Sequence, residues 1–240
     1  MNIDKINIDF LKNALFPAKC DFCNNFVDTV GLCAECWSKI TWITEPKCKI
    51  CGLPFSVDID QICTQCISNK PYFDKAISVF VYNEFSKQII LRFKHSDATY
   101  LYEQLASWMY RSATSEITNA DIIIPVPIHF LKRLKRKYNQ SELLAQEVSQ
   151  LSGIKYEPRI LMKIKKTLPQ EGLSGKERRK NIVGSFGIDE NFKDLIVDKN
   201  IVLIDDVFTT GATVNECSKV LKKFGAKTIT VVTLARVVLF

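Results

Sequence analysis

Residues 201–213 read I-V-L-I-D-D-V-F-T-T-G-A-T, and the fold follows from how they change character along the chain. Ile201 to Ile204 are consecutive and apolar, as in a short strand buried on both faces. Two adjacent carboxylates, Asp205 and Asp206, follow at its end. Thr209-Thr210-Gly211-Ala212-Thr213 then forms a loop of small and hydroxyl residues opening a helix over 214–224, which stops at Gly225-Ala226. Carboxylates accept hydrogen bonds from sugar hydroxyls, and backbone N–H groups and threonine hydroxyls at a helix N-terminus hold phosphate. The segment can therefore grip a ribose with its acidic end and a 5-phosphate with its threonine end. It is not a P-loop, because no Gly-Lys-Ser/Thr follows, and it lacks the G-x-G-x-x-G spacing of a dinucleotide site.

Outward from this stretch, strands and helices alternate. Residues 121–125 (D-I-I-I-P) read as a second short buried strand, and 76–82 and 228–234 as longer ones. Residues 161–166 and 182–188 are weaker strand candidates, and 168–181 reads as a long, basic, glycine-containing loop. Helical spacing runs through 86–93, 100–110 and 141–151, the last stopped at Gly153. This pattern predicts an α/β domain with a mainly parallel, doubly wound sheet, in which ligands sit beyond the carboxyl ends of the strands. A lead helix is expected over 1–16, ending before Pro17. Composition changes near Asn69-Lys70-Pro71, which divides the chain into 1–70 and 71–240.

The chain has 240 residues, 47% of them apolar, enough for one ordinary domain and a small appendage. No apolar run approaches the roughly 20 residues of a membrane helix, and the N-terminus lacks a signal-peptide layout, so no membrane span and a cytoplasmic location are expected. The net charge of +7 is unevenly placed: residues 131–180 carry fourteen Lys/Arg against five Glu, a local excess of +9. A basic middle suits a polyphosphate carried with a metal, and equally a nucleic acid.

Eight of the nine cysteines fall in four C-x-x-C pairs, Cys20/Cys23, Cys33/Cys36, Cys48/Cys51 and Cys63/Cys66. Two cysteines three apart in a tight knuckle point at one tetrahedral Zn²⁺, and two knuckles complete a four-cysteine site. Four pairs therefore make two structural zinc sites, connected sequentially or cross-braced. Full thiolate coordination leaves no open position for catalysis. Zinc would stabilise a region too short to form a core of its own. Cys217, alone in the helix after the loop, reads as a small buried hydrophobe rather than a nucleophile.

The 201–213 stretch resembles the phosphoribosyl pyrophosphate (PRPP) signature of type I phosphoribosyltransferases. In such proteins a loop at the place of Pro125-Val126-Pro127-Ile128-His129 receives pyrophosphate, with Arg133, Arg136 and Lys137 as neighbouring cationic candidates. A mobile loop corresponding to 168–181 closes over the substrate, offering Arg178, Arg179 and Lys180 to the leaving group. The ordered set of segments resembles one family in particular, the ComF (ComFC-like) proteins of natural competence. Those segments are the C-x-x-C pairs with C-G-L-P-F, L-R-F-K-H-S-D (91–97), P-V-P-I-H (125–129), R-K-Y-N-Q-S-E-L-L-A (136–145), Q-E-G-L-S-G-K-E-R-R-K-N (170–181) and D-D-V-F-T-T-G-A-T.

The resemblance implies an N-terminal double zinc ribbon fused to a type I phosphoribosyltransferase-like domain. It implies PRPP binding through Asp205, Asp206, Thr209, Thr210, Gly211, Ala212 and Thr213, with Mg²⁺ held largely by the ligand. It also implies single-stranded DNA and the competence helicase machinery as partners. The alternative is an active phosphoribosyltransferase of nucleotide metabolism with an acceptor the sequence does not reveal. A glutamine-hydrolysing version is not expected, since residue 2 is Asn and the first cysteine, Cys20, belongs to a zinc knuckle.

Overall fold

The computed structural model describes residues 18–28, 31–57, 61–95, 101–128, 138–165 and 175–238. The lead helix expected over 1–16 falls outside them, as do His129, Arg133, Arg136 and Lys137 and the side chains of Arg178 and Arg179. The chain forms two compact units, Met1–Thr41 and Trp42–Phe240. Composition changes near residue 70, whereas compactness changes between the two cysteine quartets.

In the first unit, bridges from Lys19 to Phe26 and from Cys20 to Gly31 frame the first knuckle. Helix α1 (Ala34–Ser38) starts from the second, where the Cys33 sulfur accepts the Cys36 N–H in place of the usual oxygen cap.

In the second unit, α2 (Thr64–Ser68) leads to β1 (Lys75–Val81), α3 (Glu84–His95), α4 (Leu101–Ser112), α5 (Thr114–Thr118) and β2 (Ile122–Pro125). Then come α6 (Gln140–Ser152), β3 (Lys155–Tyr156), β4 (Leu161–Lys163), α7 (Gly175–Ile182) and β5 (Phe186–Ile188). A 3₁₀ turn (Glu190–Leu195), β6 (Asn200–Phe208), α8 (Ala212–Lys223) and β7 (Thr228–Arg236) complete it.

Five strands form one sheet in the order β1-β7-β6-β2-β3, every neighbour parallel. Parallel strands need crossovers, and the helices supply them, as the alternation predicted. The central strands read as apolar runs because both faces are covered: Ile122 to Ile124 and Ile201 to Ile204 are all buried. Each such side chain contributes about 1.5–3 kcal/mol relative to exposure. Helices α4 and α6 pack on each other and on the sheet, and α8 packs against β6, β5 and α7.

The second cysteine quartet lies inside this core. Cys48, Cys51, Cys63 and Cys66 share one buried cluster with Phe73, Ile201, Leu203, Phe208, Val214 and Cys217. Docking occurs on the start of β1, where Ala76 N–H donates to the Ile50 carbonyl at 2.6 Å. Gly52 permits it. Its φ is +69°, and a Cβ there would come within 2.6 Å of the Ala76 carbonyl oxygen, so only glycine fits. Trp42 bridges to Phe80 and stacks edge-on with Trp108, with ring centres 5.1 Å apart.

Three expectations need correction. Strand β6 does not stop at Ile204: it continues through both aspartates to Phe208, because β7 runs on to Arg236 and keeps the ladder paired. Residues 175–181, read as loop, form helix α7 together with Ile182; its residues are mostly charged, and Ile182 is its one apolar side chain, so no amphipathic pattern shows in the sequence. The strand expected over 182–188 shrinks to 186–188, since α7 claims Ile182 and a turn through Gly184, at φ +65°, follows it.

Candidate functional site

Where β6 meets α8, the backbone turns through Thr209 and Thr210 into Gly211, which caps the helix at φ +73°. A Cβ on Gly211 would come within 2.5 Å of Phe208 Cζ, so both the left-handed backbone and the ring require glycine. Thr209, Thr210, Ala212 and Thr213 are half-buried around this turn. The twelve-residue α8 directs the positive end of its dipole at the same place. Cys217, one turn further along, is fully buried, and burial holds its thiol well above the usual range, as a packed hydrophobe requires.

The two aspartates sit in different environments. Asp206 pairs with Lys94 of α3 at 2.7 Å, both groups being largely shielded. Asp205 Oδ1 accepts the Ser141 hydroxyl at 3.0 Å and the Asp206 N–H at 2.9 Å. Burial, reinforced by the neighbouring Asp206 charge, raises the Asp205 carboxyl to about 7, although those two donors and Lys94 pull it down. One carboxylate is thus already matched to a cation, while the other is poised to gain or lose a proton near neutrality.

Beside them, β2 ends at Pro125, opposite Ile204 in register, and Val126 N–H donates to the Ile204 carbonyl at 2.9 Å. The loop that starts at Val126-Pro127 therefore leaves the sheet next to Asp205. Residues 138–141 (Y-N-Q-S) tie this corner together. The Tyr138 hydroxyl donates to the Phe93 carbonyl at 2.9 Å, and Asn139 Nδ2 to the Val126 carbonyl at 3.1 Å. Asn139 also caps α6, its Oδ1 accepting the Ser141 N–H.

The cysteines assemble as two sequential quartets, Cys20/Cys23/Cys33/Cys36 and Cys48/Cys51/Cys63/Cys66, with all four sulfurs of each within 4.8 Å of one another. Zn–S bonds of about 2.3 Å in a tetrahedron set sulfurs about 3.8 Å apart. The Cys23–Cys33 and Cys51–Cys63 separations are both 3.6 Å, so both quartets fit Zn²⁺. Each also holds one thiol that ionises readily. Burial raises Cys20, but the Cys23, Cys33 and Phe22 backbone amides outweigh it and bring the thiol down to about 6. The same balance brings Cys48 to about 7. A cavity of about 320 Å³ lies between the second quartet and α8, lined by Cys51, Phe73, Phe208, Gly211, Glu216 and Arg236 among others, but not by either aspartate.

Comparison with known proteins agrees with this architecture. Residues 11–67 match the family model of the double zinc ribbon domain, and residues 122–237 that of the phosphoribosyl transferase domain. Competence protein F of Haemophilus influenzae is 33% identical over 228 residues, which span 92% of this chain and 98% of that protein. The chain belongs to the ComF family. Two further relatives of this ComF-family chain are Competence protein ComFC of Bacillus subtilis and DNA utilization protein YhgH of Escherichia coli K12. ComFC is 28% identical, covering 85% of this chain and 84% of that one. YhgH is 27% identical, covering 86% and 90%.

Of the site residues expected from the sequence, the structure gathers Asp205, Asp206, Thr209 to Thr213 and Pro125 to Pro127 at the carboxyl ends of β6 and β2. Arg133, Arg136 and Lys137 lie outside the described residues, and Arg178 and Arg179 fall on α7. The turn after α7 is anchored to α8, since Gly184 N–H donates to Glu216 Oε1 at 2.9 Å. Sequence reasoning missed Lys94 and Ser141 of this ComF-family site. Both fall inside segments that carried the family resemblance, L-R-F-K-H-S-D and R-K-Y-N-Q-S-E, yet nothing in their spacing points at Asp205 or Asp206.

Proposed function

We propose that this ComF-family protein binds PRPP with Mg²⁺ and serves the handling of single-stranded DNA in natural competence. In this reading the ribose hydroxyls donate to Asp205 and Asp206, and the 5-phosphate takes the Thr209–Thr213 turn at the start of α8. The pyrophosphate lies toward Pro125-Val126-Pro127, with Arg133, Arg136, Lys137, Arg178 and Arg179 as its cationic partners. Mg²⁺ supplies charge neutralisation of the pyrophosphate. The observation that carries the reading is the pair of unlike carboxylates at the end of β6, one matched to Lys94 and one to Ser141, beside a glycine-capped helix start. The names of the relatives, two competence proteins and a DNA utilization protein, support the DNA role. So does the cationic run 132–137.

Calorimetry with PRPP and Mg²⁺ on zinc-replete protein tests the ligand. Binding is expected, and it is lost in Asp205→Ala/Asp206→Ala; unchanged affinity in that variant overturns the assignment. Single-stranded DNA affinity measured against salt tests the second half. Neutralising Lys135, Arg136 and Lys137 together should flatten the log–log slope by about 2, at roughly 0.7 for each phosphate that is no longer neutralised.

A further inference from the structure

We infer that Arg236 is a positioning residue that couples the second zinc site to the Gly211 turn, so that zinc held there and PRPP held by the turn stabilise each other. The inference rests on the reading of the Thr209–Thr213 loop given above. Arg236 is the last residue of β7 and sits in register with Phe208, the last residue of β6. Its side chain is buried, with 4% of its surface exposed, which is exceptional for arginine. One guanidinium nitrogen, Nη1, donates to the Cys51 carbonyl at 2.6 Å, and Nη2 lies 3.4 Å from Cys51 Sγ. The guanidinium lies over the Phe208 ring, 4.3 Å from its centre. Nε has no hydrogen-bond partner among the described residues.

Each of these contacts has a reason. A zinc ion with four thiolates carries a net charge of about −2, and a buried charge requires compensation. The Cys48 sulfur is served by the Cys51 and Cys63 backbone amides, at 3.5 and 3.3 Å. The guanidinium brings a full positive charge to Cys51. Arginine does not deprotonate, so its burial in turn depends on the charge of the metal site.

Phe208 carries the coupling onward. Arg236 covers one face, Phe73 meets the ring edge-on with centres 6.0 Å apart, and Cζ occupies the space a Cβ on Gly211 would need. The ring therefore sets the room in which the Gly211 turn is formed. Without the tetrathiolate charge, the guanidinium loses its counter-ion beside a cavity of about 320 Å³ that it already lines. Its withdrawal uncovers Phe208 and loosens the turn. Coupling of this kind is reciprocal: whatever steadies the turn must also hold the zinc.

The test compares zinc-replete wild type, Arg236→Lys and Arg236→Gln. Zinc stoichiometry is measured first, then PRPP·Mg²⁺ affinity by calorimetry, then zinc release to a colorimetric chelator with and without PRPP. In the wild type, PRPP should slow the release of one zinc equivalent by about tenfold and leave the other unchanged. Arg236→Gln should bind PRPP about tenfold more weakly with both zinc ions present, and PRPP should no longer protect zinc. Arg236→Lys, which restores charge without the fork, should fall between. Wild type that binds PRPP with no effect on zinc release overturns the coupling, and that arm needs no variant to fold. Equal affinity in Arg236→Gln overturns it too. Wild type that binds neither PRPP nor pyrophosphate overturns the reading of the loop, and the coupling with it.

Discussion

The two cysteine quartets have nearly the same sequence pattern and unlike surroundings. In the first, Cys23 is exposed and Cys33 half-buried, and the hydrogen bonds to sulfur come from backbone N–H groups of the same two knuckles. In the second, all four cysteines are buried in the main core, and a sulfur contact comes from Arg236, 185 residues along the chain. The two sites also fall in different compact units. A ribbon outside the main core depends on its metal for order, whereas a ribbon built into the core makes the core depend on the metal as well. One motif thus serves as a local staple in one place and as part of the sheet's packing in the other.

Cysteine replacement should break this symmetry most visibly. Cys51→Ser removes a thiolate from the core-embedded site and should cost most of the folding free energy of the second unit, set against about 10 kcal/mol or more for a structural zinc. Scanning calorimetry should show the main transition lost or lowered by tens of degrees. Cys23→Ser should lower the bound zinc by one equivalent and leave that transition and PRPP affinity in place. Equal damage from the two substitutions would break the comparison.

Gly52→Ala tests docking with all eight cysteines intact. The left-handed backbone and the 2.6 Å approach to the Ala76 carbonyl should together cost about 2–4 kcal/mol. Denaturant unfolding should register it, while zinc stoichiometry stays at the wild-type value. The same change at Gly153, where φ is +73° but no atom lies within 4 Å, should cost only the backbone strain, about 1 kcal/mol.

Asp205 gives the second unit a pH dependence of its own. Its carboxyl is raised from 3.8 to about 7, so between those values the native state holds a proton that the unfolded chain has released. The stabilisation is fully present below about pH 4 and is lost as pH rises to about 7. Asp205→Asn should flatten that slope and raise stability at pH 8 by about 1–3 kcal/mol, while PRPP binding is lost. Ribose hydroxyls favour the ionised form, so wild-type PRPP affinity should rise from pH 6 to 8 with proton release, seen as buffer-dependent heats. The smallest effect belongs to the exposed Glu35–Lys39 pair of the first ribbon. Glu35→Gln should leave melting temperature and zinc content unchanged within error, because solvent screens that pair.

Legibility in the sequence followed range. The C-x-x-C knuckles, the Thr-Thr-Gly turn and the apolar runs of β2 and β6 each depend on neighbours a few residues away, so spacing reveals them. Helix α7 was missed because eight residues, mostly charged, show little periodicity, and the extension of β6 was missed because it depends on β7. Lys94 and Ser141 carried no signal in their spacing: a lysine in a helix and a serine near a helix cap are ordinary until folding brings them to Asp206 and Asp205.

By itself, the sequence determined that there are two four-cysteine sites, a parallel α/β sheet and a threonine-rich turn through glycine after one of its central strands. These are properties of local stereochemistry and of burial patterns that alternate or run unbroken. Only the tertiary structure decided which quartet enters the core, which aspartate is paired and which is raised in pKa, and that Arg236 stands between a zinc site and Gly211. Those outcomes turn on charges and rings brought within a few ångströms by the crossover topology, and no spacing along the chain encodes such distances.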